Sequence, residues 1–142
     1  MPEPRAFHCL FCDDIRHEIG GKISLIGIYN QDIVFNASPP VTWPKLCIHL
    51  TIISSLNDFP EHIEISMHGP GHEEIAKMEI KPDHKPEFSP DAQKALMSIG
   101  LQTNTITFSQ EGYIEVWVTT EQEKTRAGRL KVRFEKSTEE KA

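Results

Sequence analysis

The chain has 142 residues, a net charge of -6 and a charged fraction of 25%, values typical of one globular domain. Because an acidic surface repels phosphate groups, this balance disfavours binding to nucleic acid or to an anionic membrane. The three cysteines are too few for a disulfide framework, and the first residues lack the basic and apolar run of a signal peptide. We therefore predict a cytoplasmic protein with one domain over residues 1–136 and a flexible polar tail over residues 137–142.

The first part of the sequence predicts a β-hairpin and a short strand. Apolar and polar residues alternate over 6–13 and again over 22–29, which is the period of strands with one buried face. Gly20 and Gly21 lie between these runs, and glycine accepts the positive φ that a tight turn requires. A further short strand is expected over 32–35.

The middle of the chain predicts a central strand and a second hairpin. Residues 45–54 carry apolar side chains on both faces, as expected for a strand in the interior of a sheet. The runs 61–67 and 74–80 each alternate, and a Gly-Pro-Gly turn at 69–71 separates them. We expect these two runs to pair.

One short helix is predicted over 90–99. Ser89 is a good N-cap, and Pro90 suits the first helical turn. Gly100 is a typical residue to end a helix. The apolar residues with helical spacing are Ala92, Ala95, Leu96 and Ile99.

The last part of the sequence predicts a short strand over 105–108 and then the clearest hairpin. Trp117 lies on the outward face of its first strand, and Arg129 and Lys131 lie on the outward face of its second. The alternation places an acid or an aromatic ring opposite each of these two cations, so we expect their charges to be satisfied locally. The residues expected to face inward are Ile114, Val116, Val118, Leu130, Val132 and Phe134.

Together these elements predict an all-β fold with one short helix. The architecture expected is an antiparallel two-sheet β-sandwich of about seven or eight strands, immunoglobulin-like or C2-like. No segment of about 20–50 residues repeats along the chain, which excludes a solenoid or a propeller.

Five residues are candidates for binding: Asp13, Asp14, Arg16, His17 and Trp117. The first four form the densest polar cluster of the chain, and paired carboxylates beside a histidine are able to bind a metal or to act as an acid and a base. The simpler interpretation is a solvated hairpin end in which Asp14 pairs with Arg16. Trp117 is either an anchor at a protein interface or a ring packed on neighbouring cations.

Two further groups have the residue types of a metal or redox site. His68 and His72 flank a tight turn and are candidate ligands facing each other across a hairpin, although a polar turn is the simpler interpretation. Cys9 and Cys12 have redox spacing, but on a strand they point to opposite faces, and Cys47 stands alone. The sequence contains no evident catalytic set, so no catalytic residue, metal ligand or cofactor is assigned.

The stretch from Phe11 to Tyr29 contains a Cys-Asp-Asp-Ile-Arg phrase, a Gly-Lys turn and a Ser-Leu-Ile-Gly-x-Tyr strand. In these features it resembles the opening of an uncharacterised family of small bacterial and bacteriophage proteins. The resemblance implies a bacterial or phage origin and a cytoplasmic location. It carries no assigned activity and therefore transfers no functional residue.

Two functional hypotheses follow from these patterns. The first is a non-enzymatic module that binds a protein partner or a second copy of itself, for example through an edge strand. The alternative is a metal-binding or hydrolytic protein. Its residues would be Asp13, Asp14 and His17, or the pair His68 and His72.

Overall fold

The computed structural model describes residues 5–81 and 94–135, and the predicted tail over 137–142 lies outside these ranges. Most of the described residues lie in β-strands, and Leu56–Asp58 form a 3-10 helix. In chain order the strands are β1 (Ala6–His17), β2 (Ile23–Ile28), β3 (Asp32–Phe35), β4 (Val41–Trp43), β5 (Cys47–Ser55), β6 (Ile63–His68), β7 (Glu74–Ile80), β8 (Lys94–Gln102), β9 (Ile106–Phe108), β10 (Gly112–Thr120) and β11 (Lys124–Phe134).

The strands form three sheets. A four-stranded sheet has the order β2-β1-β5-β8, a five-stranded sheet has the order β3-β11-β10-β6-β7, and β4 pairs with β9. The prediction of an almost entirely β fold is confirmed. The described residues contain more strands than expected, partly because β4 is short and is flanked by prolines. The expectation of purely antiparallel pairing fails at β3 and β11, which run parallel.

The apolar core lies between the facing sides of the two larger sheets. Ile48 and Leu50 of β5 and Val116 and Val118 of β10 are fully buried and belong to one cluster. Burying an aliphatic side chain contributes about 1.5–3 kcal/mol, so such pairs account for much of the stability. The inward-facing positions predicted for the last hairpin are confirmed, with Phe134 only partly buried.

The helix predicted over 90–99 is wrong where the structure describes it, because Lys94–Gln102 form β8. This strand pairs antiparallel with β5 along its whole length. Ala95 and Ile99 are buried, and their spacing of four residues fits a strand as well as a helix, whereas the spacing of two between Ile99 and the buried Leu101 fits only a strand. A short isolated helix is only marginally stable, whereas pairing with β5 satisfies the backbone of this segment and buries its apolar face in the core. The predicted N-cap lies outside the described residues.

A buried arginine fastens the start of β1 to the turn between β10 and β11. The Arg5 side chain is 1% exposed, and it donates hydrogen bonds to the Asp58 carbonyl oxygen at 2.9 Å, to Thr120 Oγ1 at 3.1 Å and to Glu121 Oε1 at 2.7 Å. Burial alone would raise the pKa of the Glu121 carboxyl, but the hydrogen bonds from Arg5 and from backbone N–H groups outweigh it and lower the pKa. The ionised Glu121 therefore neutralises Arg5.

We expect the Arg5→Met variant to lose about 2–3 kcal/mol of unfolding free energy at neutral pH, because hydrogen bonds to charged groups contribute this much. The folded-state pKa of Glu121 is depressed, so its contribution is present above the pKa of the unfolded chain and is lost as the pH falls through the folded value. Urea unfolding at neutral pH and at about pH 3 should therefore show a difference between wild type and variant that narrows in acid.

Arg16→Met is the matched control, because Arg16 is exposed and lies 3.9 Å from its partner Glu18. Its loss of stability should be small at both pH values. An equal loss in the two variants would contradict the role assigned to Arg5.

Candidate functional site

The polar cluster of β1 lies on a projecting hairpin, which we call the hairpin arm and define as residues 13–28. Beyond Cys12, β1 no longer pairs with β5 and continues only with β2. Ile15 of the arm packs over Gly100 of β8, where a Cβ would lie 3.2 Å from Ile15 Cδ1. Gly100 therefore gives the arm room to pack against the outer side of the sheet, and it does not end a helix.

The Asp13 side chain contacts Gly27 on the second strand of the hairpin arm and Tyr29, the residue that follows the arm. Its carboxylate accepts a hydrogen bond from the Tyr29 hydroxyl. The carboxylate also occupies space beside Gly27, where a Cβ would lie 2.9 Å from the Asp13 carboxyl carbon. Gly27 has a φ of 68°, a value that favours glycine. Burial first, and then the hydrogen bond to Asp13, raise the pKa of Tyr29, so this hydroxyl stays protonated as the donor.

Asp14 has different partners from Asp13. Its Oδ1 accepts hydrogen bonds from Lys45 Nζ at 2.8 Å and from the Ile15 backbone N–H at 3.0 Å. The bond from Lys45 holds the pKa of Asp14 below its usual value and raises the pKa of Lys45. Lys45 thus replaces Arg16 as the expected partner, and Arg16 lies near Glu18 instead. The two carboxylates are engaged separately and do not share one ligand position.

His17 lies at the end of β1 and is exposed. It lines a small cavity of about 90 Å³ with Ile15, Ile23 and His49. The His49 Nε2 atom is buried and has no hydrogen-bond partner among the described residues. The hairpin arm therefore brings Asp13, Asp14, Arg16 and His17 onto one projection without joining them into one pocket.

Trp117 lies on the other large sheet, away from the hairpin arm. It is half-buried, and Lys124 Nζ lies 5.4 Å from its ring centroid. Packing on a cation was one of the two interpretations from sequence, but the cation is Lys124 and not Arg129 or Lys131. Trp117 therefore belongs to a different surface from the other four candidate residues.

His68 and His72 are not paired across the hairpin. His68 stands opposite Glu74 in the strand register, and its Nε2 lies 3.1 Å from Ser66 Oγ. His72 lies in the turn itself with a φ of 67°. Within residues 5–81 and 94–135, no group of three or more His, Cys, Asp or Glu side chains is arranged to hold a metal ion.

The cysteines occupy both faces of β1, as its alternation predicts. Cys9 stands opposite Leu50 on the core side, whereas Cys12 stands directly opposite Cys47 on the other side. Cys47 Sγ lies 3.7 Å from the Asp13 carbonyl oxygen, so these two thiols lie at the base of the hairpin arm. Burial is the main cause that raises the pKa of Cys9 to about 12 and that of Cys12 to about 11. Both thiols are therefore protonated at neutral pH.

Exposed apolar side chains on both faces of β2 form a row along the edge of the four-stranded sheet, with Ile26 and Ile28 on one face and Ile23 on the other. Ile23, Ile26 and Ile28 of β2 are 39%, 42% and 47% exposed, and Ile19 before the turn is 94% exposed. Among the strands that the structure describes, only β1 pairs with β2. Sequence reasoning missed this row because it assigned one of the two faces of β2 to the interior.

The sequence resemblance depends on three features, and the contacts of Asp13 with Gly27 and Tyr29 connect two of them. These are the Cys-Asp-Asp-Ile-Arg phrase and the Ser-Leu-Ile-Gly-x-Tyr strand. A sequence model of a family of unknown function, DUF6941, matches residues 8–133. The chain belongs to this family. The prediction of an uncharacterised family is thus confirmed. A search among curated proteins finds no match. Among the described residues, no helix has the length and apolar composition that a membrane span requires.

We expect Gly27→Ala to destabilise the protein more than Gly21→Ala. Both glycines have positive φ, 68° and 75°, so either alanine adds about 1–2 kcal/mol of backbone strain. A Cβ at Gly21 meets nothing within 4 Å, whereas a Cβ at Gly27 displaces the Asp13 carboxylate. Urea unfolding measures the difference between the two variants.

Thiol alkylation followed by mass spectrometry adds a local measurement. Displacing Asp13 loosens the base of the hairpin arm, so Cys12 and Cys47 should react faster in Gly27→Ala than in Gly21→Ala. Cys9, which faces the core, should react at the same rate in both variants. Equal stabilities and equal labelling of the two variants would show that the contact between Gly27 and Asp13 does not hold the arm.

Proposed function

We propose that this protein is a non-enzymatic binding module that accepts an extended segment of another polypeptide along the free edge of β2. The scaffold is a β-sandwich in which the two larger sheets share one core. The observation that carries the proposal is the apolar row of the hairpin arm, in which Ile26 and Ile28 are exposed on one face of β2, Ile23 on the other, and Ile19 before the turn. Exposed apolar residues that lie together typically mark an interaction surface.

The outer strands β2 and β7, one from each of the larger sheets, differ in the charge that they carry. β7 carries Glu74, Lys77 and Glu79, and Lys77 pairs with Glu64 of β6 at 3.3 Å. Charged residues on an edge strand prevent unwanted pairing with other chains. β2 has no charged residue between Ile23 and Ile28 and so lacks this protection.

Strand addition uses two kinds of contact, and β2 offers both. The backbone N–H and C=O groups on its free side are able to pair with a new strand, and alternate side chains then pack against that strand. Covering Ile23, Ile26 and Ile28, each roughly half exposed, would contribute about 1 kcal/mol per residue. Ile15 packs over Gly100 of β8, and this contact fixes the position of the hairpin arm that carries β2.

A second copy of the chain is one polypeptide that fits this edge. Two β2 strands related by a twofold axis would pair antiparallel, and each would cover the apolar row of the other. Self-association and binding of a different protein therefore use the same surface. The three free cysteines support a cytoplasmic setting for either complex, since thiols persist in reducing compartments.

The metal-binding or hydrolytic alternative has less support. Asp13 and Asp14 each have their own partner, Tyr29 and Lys45, so neither is free to join a ligand set without losing a contact. No observation on the described residues favours a bound metal over these contacts.

We expect Ile26→Lys to abolish binding at this edge, because a charge inside a new strand pair is costly to bury. Ile26 stands opposite Asp14, so the introduced lysine has a favourable neighbour and should not unfold the hairpin arm. Sedimentation velocity tests self-association. Capture from the native host followed by hydrogen exchange tests a partner, and the backbone amides of β2 should become protected in the complex.

Leu96→Lys is the matched control, because Leu96 lies on β8 and is 62% exposed. The control should keep every association that the wild type makes. A monomer that captures nothing, or a complex that survives Ile26→Lys but not Leu96→Lys, would contradict the proposal.

A further inference from the structure

The outer side of the five-stranded sheet contains an open cavity of about 460 Å³, which we call the basic trough. Its floor is β11, from which Arg129, Lys131 and Arg133 project. Tyr113 of β10 lies on one side, and residues 30–32 line the other. A cavity of this size is within the usual range for small-molecule sites, about 300–1,000 Å³.

Within the part of the chain that the structure describes, two of the three cations in the basic trough have no acidic partner. Arg133 pairs with Asp32 at 3.1 Å and with Glu135 at 2.7 Å. Among the described residues, Arg129 and Lys131 form no ion pair. Their positive charges are therefore left for solvent or for a ligand, in a protein whose net charge is -6.

The expected cross-strand neighbours, an acid and an aromatic ring, are present, but a β-bulge leads the acid to pair elsewhere. Glu115 stands opposite Arg129 in the register, as the sequence suggested. The register between β10 and β11 shifts by one residue after Val116. Arg126 Nη1 then lies 3.0 Å from Glu115 Oε2. The acid expected to satisfy Arg129 is therefore paired with Arg126, outside the basic trough.

The remaining neighbours do not cancel the charge either. The Arg129 guanidinium carbon lies 4.4 Å from the centroid of the Tyr113 ring, a contact that orients the cation but carries no negative charge. Lys131 stands opposite Tyr113 on one side and Asp32 on the other, and Asp32 is already paired with Arg133.

The geometry of β11 sets the spacing of these cations. Leu130 and Val132 are buried in the core, so Arg129, Lys131 and Arg133 share the outward face of one strand. Alternate residues of a strand are about 7 Å apart, so the row matches a ligand with several separated anionic groups. The side-chain amides of residues 30 and 31 supply uncharged donors beside this row.

We propose that the basic trough binds a small anion with two or more phosphate or carboxylate groups. Arg129 and Lys131 are the residues that contact its charges, and Arg133 supplements them from its ion pair. A long polyanion fits less well, because the acidic remainder of the surface repels the part that extends beyond the trough. This site lies on a different sheet from the β2 edge and does not depend on the proposed protein binding.

Isothermal titration calorimetry of the full chain tests this site with pyrophosphate, ADP and citrate, and inorganic phosphate serves as the comparison with one anionic group. At least one of the three should bind saturably, more tightly than phosphate, and more weakly as salt is added. The set that binds distinguishes phosphate from carboxylate ligands. Arg129→Gln/Lys131→Gln should weaken binding by about tenfold or more, since the loss of even one charged contact is worth about that factor.

The control variant is Lys77→Gln/Lys124→Gln, which removes the same charge from the same sheet outside the basic trough. Lys77 pairs with Glu64, Lys124 lies over Trp117, and the pair of Arg126 with Glu115 stays intact. This variant should leave the Kd essentially unchanged. Equal weakening by both double variants, saturable binding by none of the three probes, or tight binding of a single-stranded oligonucleotide alone would each overturn the proposal.

Lys131→Gln separates ligand binding from structural stability. Lys131 forms no ion pair or ring contact among the described residues, so its replacement should leave the thermal midpoint of the unliganded protein unchanged. Ligand should raise the midpoint of the wild type by mass action and raise that of this variant less. An equal rise in both proteins would overturn the assignment of Lys131.

Discussion

Burial of one apolar core between two sheets determines which side chains this protein leaves at its surface. Leu50 of β5 and Val116 of β10 are fully buried in that core. Since neighbouring residues of a strand point to opposite sides, each buried residue places the residues beside it outside. Because Leu130 and Val132 are buried, the residues beside them on β11, which include the cations, lie on the outward face. The surface sites are thus a consequence of core packing.

The two large sheets present very different outer sides. The four-stranded sheet carries the hairpin arm, in which Ile15 packs over Gly100 and β2 exposes apolar residues at its edge. The five-stranded sheet carries polar and basic residues, and its charges are unevenly paired because Glu115 is bound to Arg126. The exposed apolar residues of β2 and the cations of β11 therefore lie on different sheets of the protein.

Strand positions were largely predictable from the sequence, and their pairing was not. The alternation around Ile114 and Leu130 identified buried faces that the structure confirms. It failed at β8 because Ala95 and Ile99 satisfy both the helical and the extended period, and only pairing with β5 decides between them. The same limit applies to Asp13: the sequence marks it as part of a polar cluster, but its partner Tyr29 is brought to it by the strand register. The bulge after Val116 also left no signal strong enough to predict it.

Because β11 lies between β3 and β10, the five-stranded sheet is completed only after this late segment of the chain has been synthesised. Val132 pairs with Ile33, although the two residues are far apart in the sequence. Contacts of this kind form slowly, because the intervening chain must lose its freedom before they are made. While the protein is being translated, β3 emerges from the ribosome long before β11 exists to cover its edge. The nascent chain therefore carries β3 without its partner for much of its synthesis.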